Sequence, residues 1–435
     1  MMNMTRMAAV LAVTMTAAAP AVAQSLHFPM LNYRTGPFGP NGMAFADGYQ
    51  DYLTLINERD GGIGGVPIRM TECETAYNTE RGVECYQGIR GDSPLVIQPL
   101  STGITYQLIP RTMEDQVPMH TMGYGRTSAV NGEVFNWTFN YPGTYWDGAS
   151  VIINYLLEEN DGSLEGKKIV LLYHNSAYGR EPIPTLTRLA EHHGYELITI
   201  GVDSPGQEQG NQWLQIRRER PDYVTMWGWG VMNAVAIQEA ANIRFPMENF
   251  IGVWWSGSEQ DVRPAGAGAH GYKSLAMHGT GRDYPIYDDI QEYVIDRGLA
   301  AGTGDEVGTV LYSRGMYASM LAVEAAKKAQ EIHGVEEITP AMMRDGMANL
   351  VITEELMEEL GLPGFGPAFE VTCQNHGGTG EAMIQQWDAE SGTWSLITDW
   401  IAPNRDLIME MVMEDSLAYA AENNIEPQCL ERSGG

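Results

Sequence analysis

This chain runs the same alternation twice: short apolar stretches rich in β-branched residues, separated by longer stretches of helical periodicity. In the first run, residues 27–33, 66–71, 95–100 and 117–122 read as strands. Between them lie three helices. One has Phe45, Tyr49, Tyr52, Leu53 and Ile56 on a single face, with Thr35 to Gly42 as a turn-rich loop before it and Asp60-Gly61-Gly62 after it. Asn78 caps the second, and Ser101-Thr102-Gly103 opens the third. The second run places strands at 168–173, 196–202, 221–230 and 250–256, with helices at 147–158, 182–193, 209–219 and 232–243. Crossovers of that length return the chain in the same direction, so the strands pair in parallel. The expected fold class is therefore α/β, with two doubly wound parallel-sheet lobes. A chain of 435 residues is too long for one ordinary core, and 44% apolar residues are enough to fill two.

Two strands of the second run end in tryptophan. Residues 221–230 read P-D-Y-V-T-M-W-G-W-G and residues 250–256 read F-I-G-V-W-W-S, which together hold four of the ten tryptophans. Ligands of open α/β sheets lie beyond the carboxyl ends of the strands, so Trp227, Trp229, Trp254 and Trp255 are expected to form one wall of a cleft. Burial in the core is the competing reading for each of them. At Ser101 to Gly103, hydroxyls and free backbone N–H groups converge where an anion could sit, and a plain helix cap explains the same residues equally well.

Formal net charge is −30, from 56 acidic and 26 basic residues, which argues against nucleic acid or an anionic membrane as partner. Residues 1–23 carry one arginine, an apolar run of roughly 12 residues and the small-residue exit Ala21-Val22-Ala23, the pattern of a cleaved signal peptide. The mature chain is expected to be exported to the periplasm, without direct membrane insertion and as a monomer. Four cysteines in an exported chain imply two disulfides. Of three pairings, the two local closures, Cys73 with Cys85 and Cys373 with Cys429, are favoured.

Catalytic patterns are missing: there is no G-x-S-x-G elbow and no H-E-x-x-H. His192-His193 precedes Gly194 at a helix end, where a cationic side chain suits the dipole better than a metal does. No enzyme activity, cofactor or metal is expected. A hidden hydrolase and a ligand-sensing receptor module remain as alternatives, the second weakened by the lack of an apolar segment after Trp400. Further along, 270–284 reads as a glycine-rich polar crossing, 286–297, 306–332 and 340–349 as helices, and 368–373, 383–387 and 394–398 as extended segments.

Five segments in order, T-G-P-F-G-P-N-G-M-A-F-A-D-G (35–48), I-N-E-R-D-G-G-I-G-G-V-P-I (56–68), K-K-I-V-L-L-Y-H-N-S-A-Y-G-R-E (167–181), R-P-D-Y-V-T-M-W-G (220–228) and C-Q-N-H (373–376), carry a resemblance. Over residues 26–400 the chain resembles the periplasmic solute-binding proteins of branched-chain amino acid type ABC transporters, the leucine-binding-protein-like, type I family. The resemblance implies a three-crossing hinge between a lobe of 24–143 plus 278–370 and a lobe of 144–277 plus 376–402, followed by a tail of 403–435. It also implies a small-molecule ligand and, as partner, the permease subunits of an ABC transporter. Ligand positions carried over from the family are Asn41, Ser101, Thr102, Thr121, Met122 and Tyr124 in the first lobe. In the second they are Tyr178, Trp227, Trp229 and the segment from Trp254 through Trp255 to Ser256.

Where the amino-acid binders place a glutamate for the ligand ammonium, this chain has Trp255 or Ser256, and the nearest acids are Glu259 and Asp261. A buried ammonium without a carboxylate costs several kcal/mol, so such a pocket rejects zwitterions. The expected ligand is an aromatic or otherwise apolar carboxylate, with a branched-chain or other amino acid or amide as the alternative.

Overall fold

The computed structural model describes residues 25–431. The signal-peptide reading of residues 1–23 lies outside the described residues. The described residues form two α/β lobes joined by a hinge region. No helix among the described residues is long and apolar enough to cross a membrane.

The first lobe is built on parallel pairing. Leu26–Asn32 pairs along its length with Ile68–Glu74. On its other side Met30 bridges to Gln98, Ile97 bridges to Met119, and Met119–His120 pairs with Thr138–Phe139. Residues 95–100, expected as a full strand, make only these bridges. Helix Gly39–Asp60 starts inside the segment expected as a loop, because Pro40 suits the first helical turn and its missing N–H costs nothing there. That helix packs on Val310–His333 at very short range. A Cβ on Gly48 would lie 1.9 Å from Tyr312 O, and one on Gly315 would lie 1.9 Å from Phe45 O, so two facing glycines permit the crossing. Met316 and Met320 on the longer helix are fully buried core residues.

The second lobe holds a seven-stranded sheet in the order Thr393–Leu396, Met383–Asp388, Lys273–Ala276, Phe250–Gly252, Tyr223–Trp227, Lys168–His174, Glu196–Val202. Lys273–Ala276 corrects the reading of 270–284 as an uninterrupted crossing. It is a short strand with a lysine at its start, and that side chain is covered because its Nζ donates to Tyr155 Oη at 2.8 Å. The run 250–256 is also corrected: the strand stops at Gly252, and Trp254–Ser256 forms a single 3-10 turn. Helix Tyr145–Glu159 is started by a reciprocal cap between Thr144 and Asp147.

Both local disulfides are present, Cys73–Cys85 and Cys373–Cys429. The C-terminal helix Arg405–Asn423 touches both lobes. Arg405 binds Asp147 at 2.7 Å, and Arg188 binds Glu410 and Glu414, which ties the helix to the second lobe. Asp415 accepts from Arg126 and Ser128, and Ser416 Oγ accepts from Asn131 at 2.9 Å, which ties it to the first. Beyond the helix, Cys429 is held to Cys373 by the second disulfide.

Candidate functional site

The carboxyl ends of both sets of parallel strands face each other, and between them lies a small cavity of about 20 Å³. Most wall residues sit where a strand or a bridged segment ends. From the first lobe, Tyr33 follows Leu26–Asn32, Tyr77 lies in the turn after Ile68–Glu74, Leu100, Ser101 and Thr102 lead into helix Thr102–Asp115, and Tyr124 follows Met119–His120. From the second, Tyr145 is the first residue of its helix, Tyr178 follows Lys168–His174, Trp229 follows Tyr223–Trp227, and Trp255 follows Phe250–Gly252.

None of these ten side chains is ionised. Burial holds the phenols of Tyr33, Tyr124, Tyr145 and Tyr178 well above their ordinary range, so they keep their protons and can donate hydrogen bonds. Tyr178 spends its proton on Gly228 O at 2.8 Å, and Tyr145 Oη lies 3.3 Å from Thr102 Oγ1. Thr102 Oγ1 also accepts from Gly125 N at 3.2 Å. Ser101 Oγ accepts from Ile104 N at 3.4 Å, so the residue caps its helix and lines the cavity at once. The indole N–H of Trp229 is buried beside the Tyr33 hydroxyl, which is its nearest acceptor. An indole nitrogen can only donate, so it serves either that hydroxyl or an acceptor on whatever fills the cavity.

The lobes are shut on each other by a few specific bonds. Trp254 Nε1 and Trp255 Nε1 both donate to Gly123 O across the cleft, at 2.8 and 2.9 Å. Gly123 has φ +68°, and a Cβ there would lie 2.2 Å from Met277 Cε, so only glycine presents that carbonyl without strain. At the rim Glu181 of the second lobe accepts from Tyr106 Oη and from Thr127 Oγ1 at 2.9 Å, both in the first lobe. Desolvation pushes the Glu181 carboxyl up to about 7, against the pull of those hydrogen bonds.

Of the positions expected from sequence, the cavity wall brings together Ser101, Thr102, Tyr124, Tyr178, Trp229 and Trp255. Asn41 lies outside it and reaches across to Ser258 and Asp261 at 3.4 Å. Thr121 is held by Asn140 at 2.9 Å, while Met122 and Trp227 are fully buried away from the wall. Trp254 is engaged by Gly123 and by stacking on Tyr145 at 6.2 Å. Tyr33, Tyr77, Leu100 and Tyr145 are wall residues that the sequence reading did not single out. The first three follow the rule that strand ends meet the ligand; Tyr145 follows the break at Pro142-Gly143.

The two acids nearest the amino-acid binders' glutamate do not line the cavity. Glu259 accepts from Val310 N at 3.1 Å, at the start of helix Val310–His333. Asp261 is surrounded by Ser258 N and Oγ at 2.8 Å and by Asn233 at 3.1 Å. Burial raises the first to about 7 and the second to about 6. His376 is stacked on Phe139 at 4.2 Å and bonded to Thr138 O. Among the described residues one cluster has metal-ligand spacing, Glu133 with Cys373 and Cys429, and its two sulfurs are joined as a disulfide.

Residues 25–393 match the periplasmic binding protein family model. Among solved structures, an ABC transporter permease from the Pseudomonas fluorescens group is 37% identical, over 94% of this chain and 99% of its own, with a TM-score of 0.86. A branched chain amino acid ABC transporter from Thermus thermophilus with bound valine is 19% identical over 90% of this chain and 99% of its own, at a TM-score of 0.75. A fatty acid ABC transporter substrate-binding protein from Thermomonospora curvata is 15% identical over 90% and 95%, at 0.71. These last two likenesses show the fold alone. No curated protein matches the chain. With a family match across most of its length and two lobes closed over a cavity, the chain belongs to the periplasmic binding protein family and has the type I fold of ABC-transporter solute-binding proteins.

Proposed function

We propose that the protein works outside the cytoplasm, capturing a small apolar or aromatic carboxylate between its lobes and delivering it to the permease of an ABC transporter. The observation that carries the ligand class is the wall: five tyrosines, two tryptophans, a leucine, a serine and a threonine, with no carboxylate among them. Aromatic faces receive an apolar body. Protonated phenols, the Ser101 and Thr102 hydroxyls and the Trp229 N–H supply donors to an acceptor group. An α-ammonium would meet no counter-charge on this wall, and its desolvation would go uncompensated.

Equilibrium dialysis or thermal shift with benzoate-type acids, leucine and phenylalanine tests this. The expected outcome is a rise in melting temperature with one or more of the acids and none with leucine. Tight leucine binding without any response to the acids overturns the ligand class.

A further inference from the structure

Packed against Trp255, and not itself part of the cavity wall, lies Arg314 of helix Val310–His333. It is fully buried, and its guanidinium sits over the Trp255 ring, 4.9 Å from the centroid. Its hydrogen bonds go to neutral acceptors: Nε donates to His278 Nε2 at 3.2 Å, and Nη1 donates to Trp254 O. Nη2 has no partner. His278 is fixed as the neutral tautomer that accepts through Nε2, because its Nδ1 faces Gly279 O at 2.8 Å and burial pulls its pKa down to about 3. Glu259 and Asp261 are the carboxylates in the neighbourhood. Both are occupied with other donors and neither makes an ion pair with Arg314 among the described residues; their charges act on it only through space, opposing the fall of its pKa.

A buried cation without a paired anion is costly, and proteins keep such an arrangement where something compensates it. Burial draws the guanidinium down to about 9, which still leaves it charged at neutral pH. One Trp255 ring separates this charge from a cavity whose wall carries none. The positive field reaches the cavity through the indole and is only weakly screened in a water-poor interior. It opposes the usual preference of an aromatic box for cations, because the ring that would attract a cation already serves one.

We infer that Arg314 sets the charge preference of the site, acting through Trp255 to favour a carboxylate over a neutral or cationic ligand of the same shape. It does not touch the ligand; it is a specificity residue outside the wall. The inference rests on the carboxylate reading above, and the test keeps the two apart.

The experiment measures affinity by isothermal titration for matched acid and amide pairs: benzoate with benzamide, phenylacetate with phenylacetamide, isobutyrate with isobutyramide. The wild-type protein is expected to prefer the acid of at least one pair by tenfold or more. Arg314→Met fills much of the same space without charge, a type of replacement that buried ion sites tolerate. It is expected to cut the acid-to-amide ratio on the order of tenfold, while amide affinity moves less than about threefold, the scale of one short-range charge in a protein interior. Arg314→Lys, which keeps the charge, is expected to keep most of the preference. Arg314→Gln is measured beside them so that a failure of one variant to fold does not decide the matter. A ratio unchanged in the neutral variants overturns the role of Arg314 and leaves the carboxylate reading standing. Wild-type protein that binds the amides and refuses every acid overturns both.

Discussion

The cavity wall and the cleft rim do different work with different side chains. Wall residues are uncharged, and their hydrogen-bonding capacity is in hydroxyls and indoles. Acids and arginines stand outside that wall: Glu181 against Tyr106 and Thr127, Asp261 against Asn41, Glu259 at the start of helix Val310–His333, and Asp415 against Arg126. A charge buried between the lobes, as Glu181 is, loses its water when they close, so it reports on closure. Neutral donors on the wall report on the ligand. The difference separates how tightly the clamshell shuts from what it shuts on.

Trp255 is where the two functions meet, since it lines the cavity, bonds Gly123 across the cleft and covers Arg314. Trp255→Ala should therefore produce the largest effect. Ligand affinity is expected to fall at least about 100-fold, and stability by about 3 kcal/mol or more as a buried tryptophan is lost; titration and chemical denaturation read the two. A smaller but more pointed break puts a charge into the neutral wall. Ser101→Asp keeps a good helix cap, so folding survives. It also places a carboxylate against the ligand's own, and acid binding should drop by roughly tenfold to 100-fold at low ionic strength. If acids bind Ser101→Asp as well as wild type, the wall is not where ligand charge is read.

The smallest expected effect belongs to the rim. In an open, hydrated cleft Glu181 ionises near its ordinary value of 4.5, and in the closed form near 7. The closed form thus binds more protons between those values, so closure weakens as pH rises through that window and strengthens as it falls. Ligand affinity should rise roughly threefold to tenfold between pH 8 and pH 6. Glu181→Gln, which is neutral throughout, should lose most of that slope while keeping the acid-to-amide preference. Retention of the full slope would assign the pH response elsewhere, with Asp261 and Glu259 as the remaining interlobe acids.

Much of the architecture is legible in the chain because period-2 and period-3.6 patterns alternate cleanly and the glycine and proline punctuation is strong. Glu196–Val202 has the same bounds in both readings. Legibility fails where local pattern and tertiary setting disagree. Lys273–Ala276 is four residues with a lysine and a serine, and only the neighbouring strands make it a strand. At the site, strand ends predict the region but not which side chain turns inward. Trp229 and Trp255 enter the wall, whereas Trp227 is still inside its strand and Trp254 is drawn to Gly123. Tyr77 lies in the left-handed region at φ 58°, a conformation that no local sequence signal announces for tyrosine. Arg314 sits mid-helix among core residues, and nothing in the helical period sets it apart from a surface arginine.

The C-terminal helix has one further consequence. It is fastened to the second lobe through Arg405 and Arg188, to the first through Asp415 and Ser416, and finally to the Cys373 region by a covalent bond. Any rotation that parts the lobes has to pull on this leash or release one end of it. The aperture of the clamshell, and so the speed with which a captured molecule escapes, is governed partly by a segment that lines no part of the cavity.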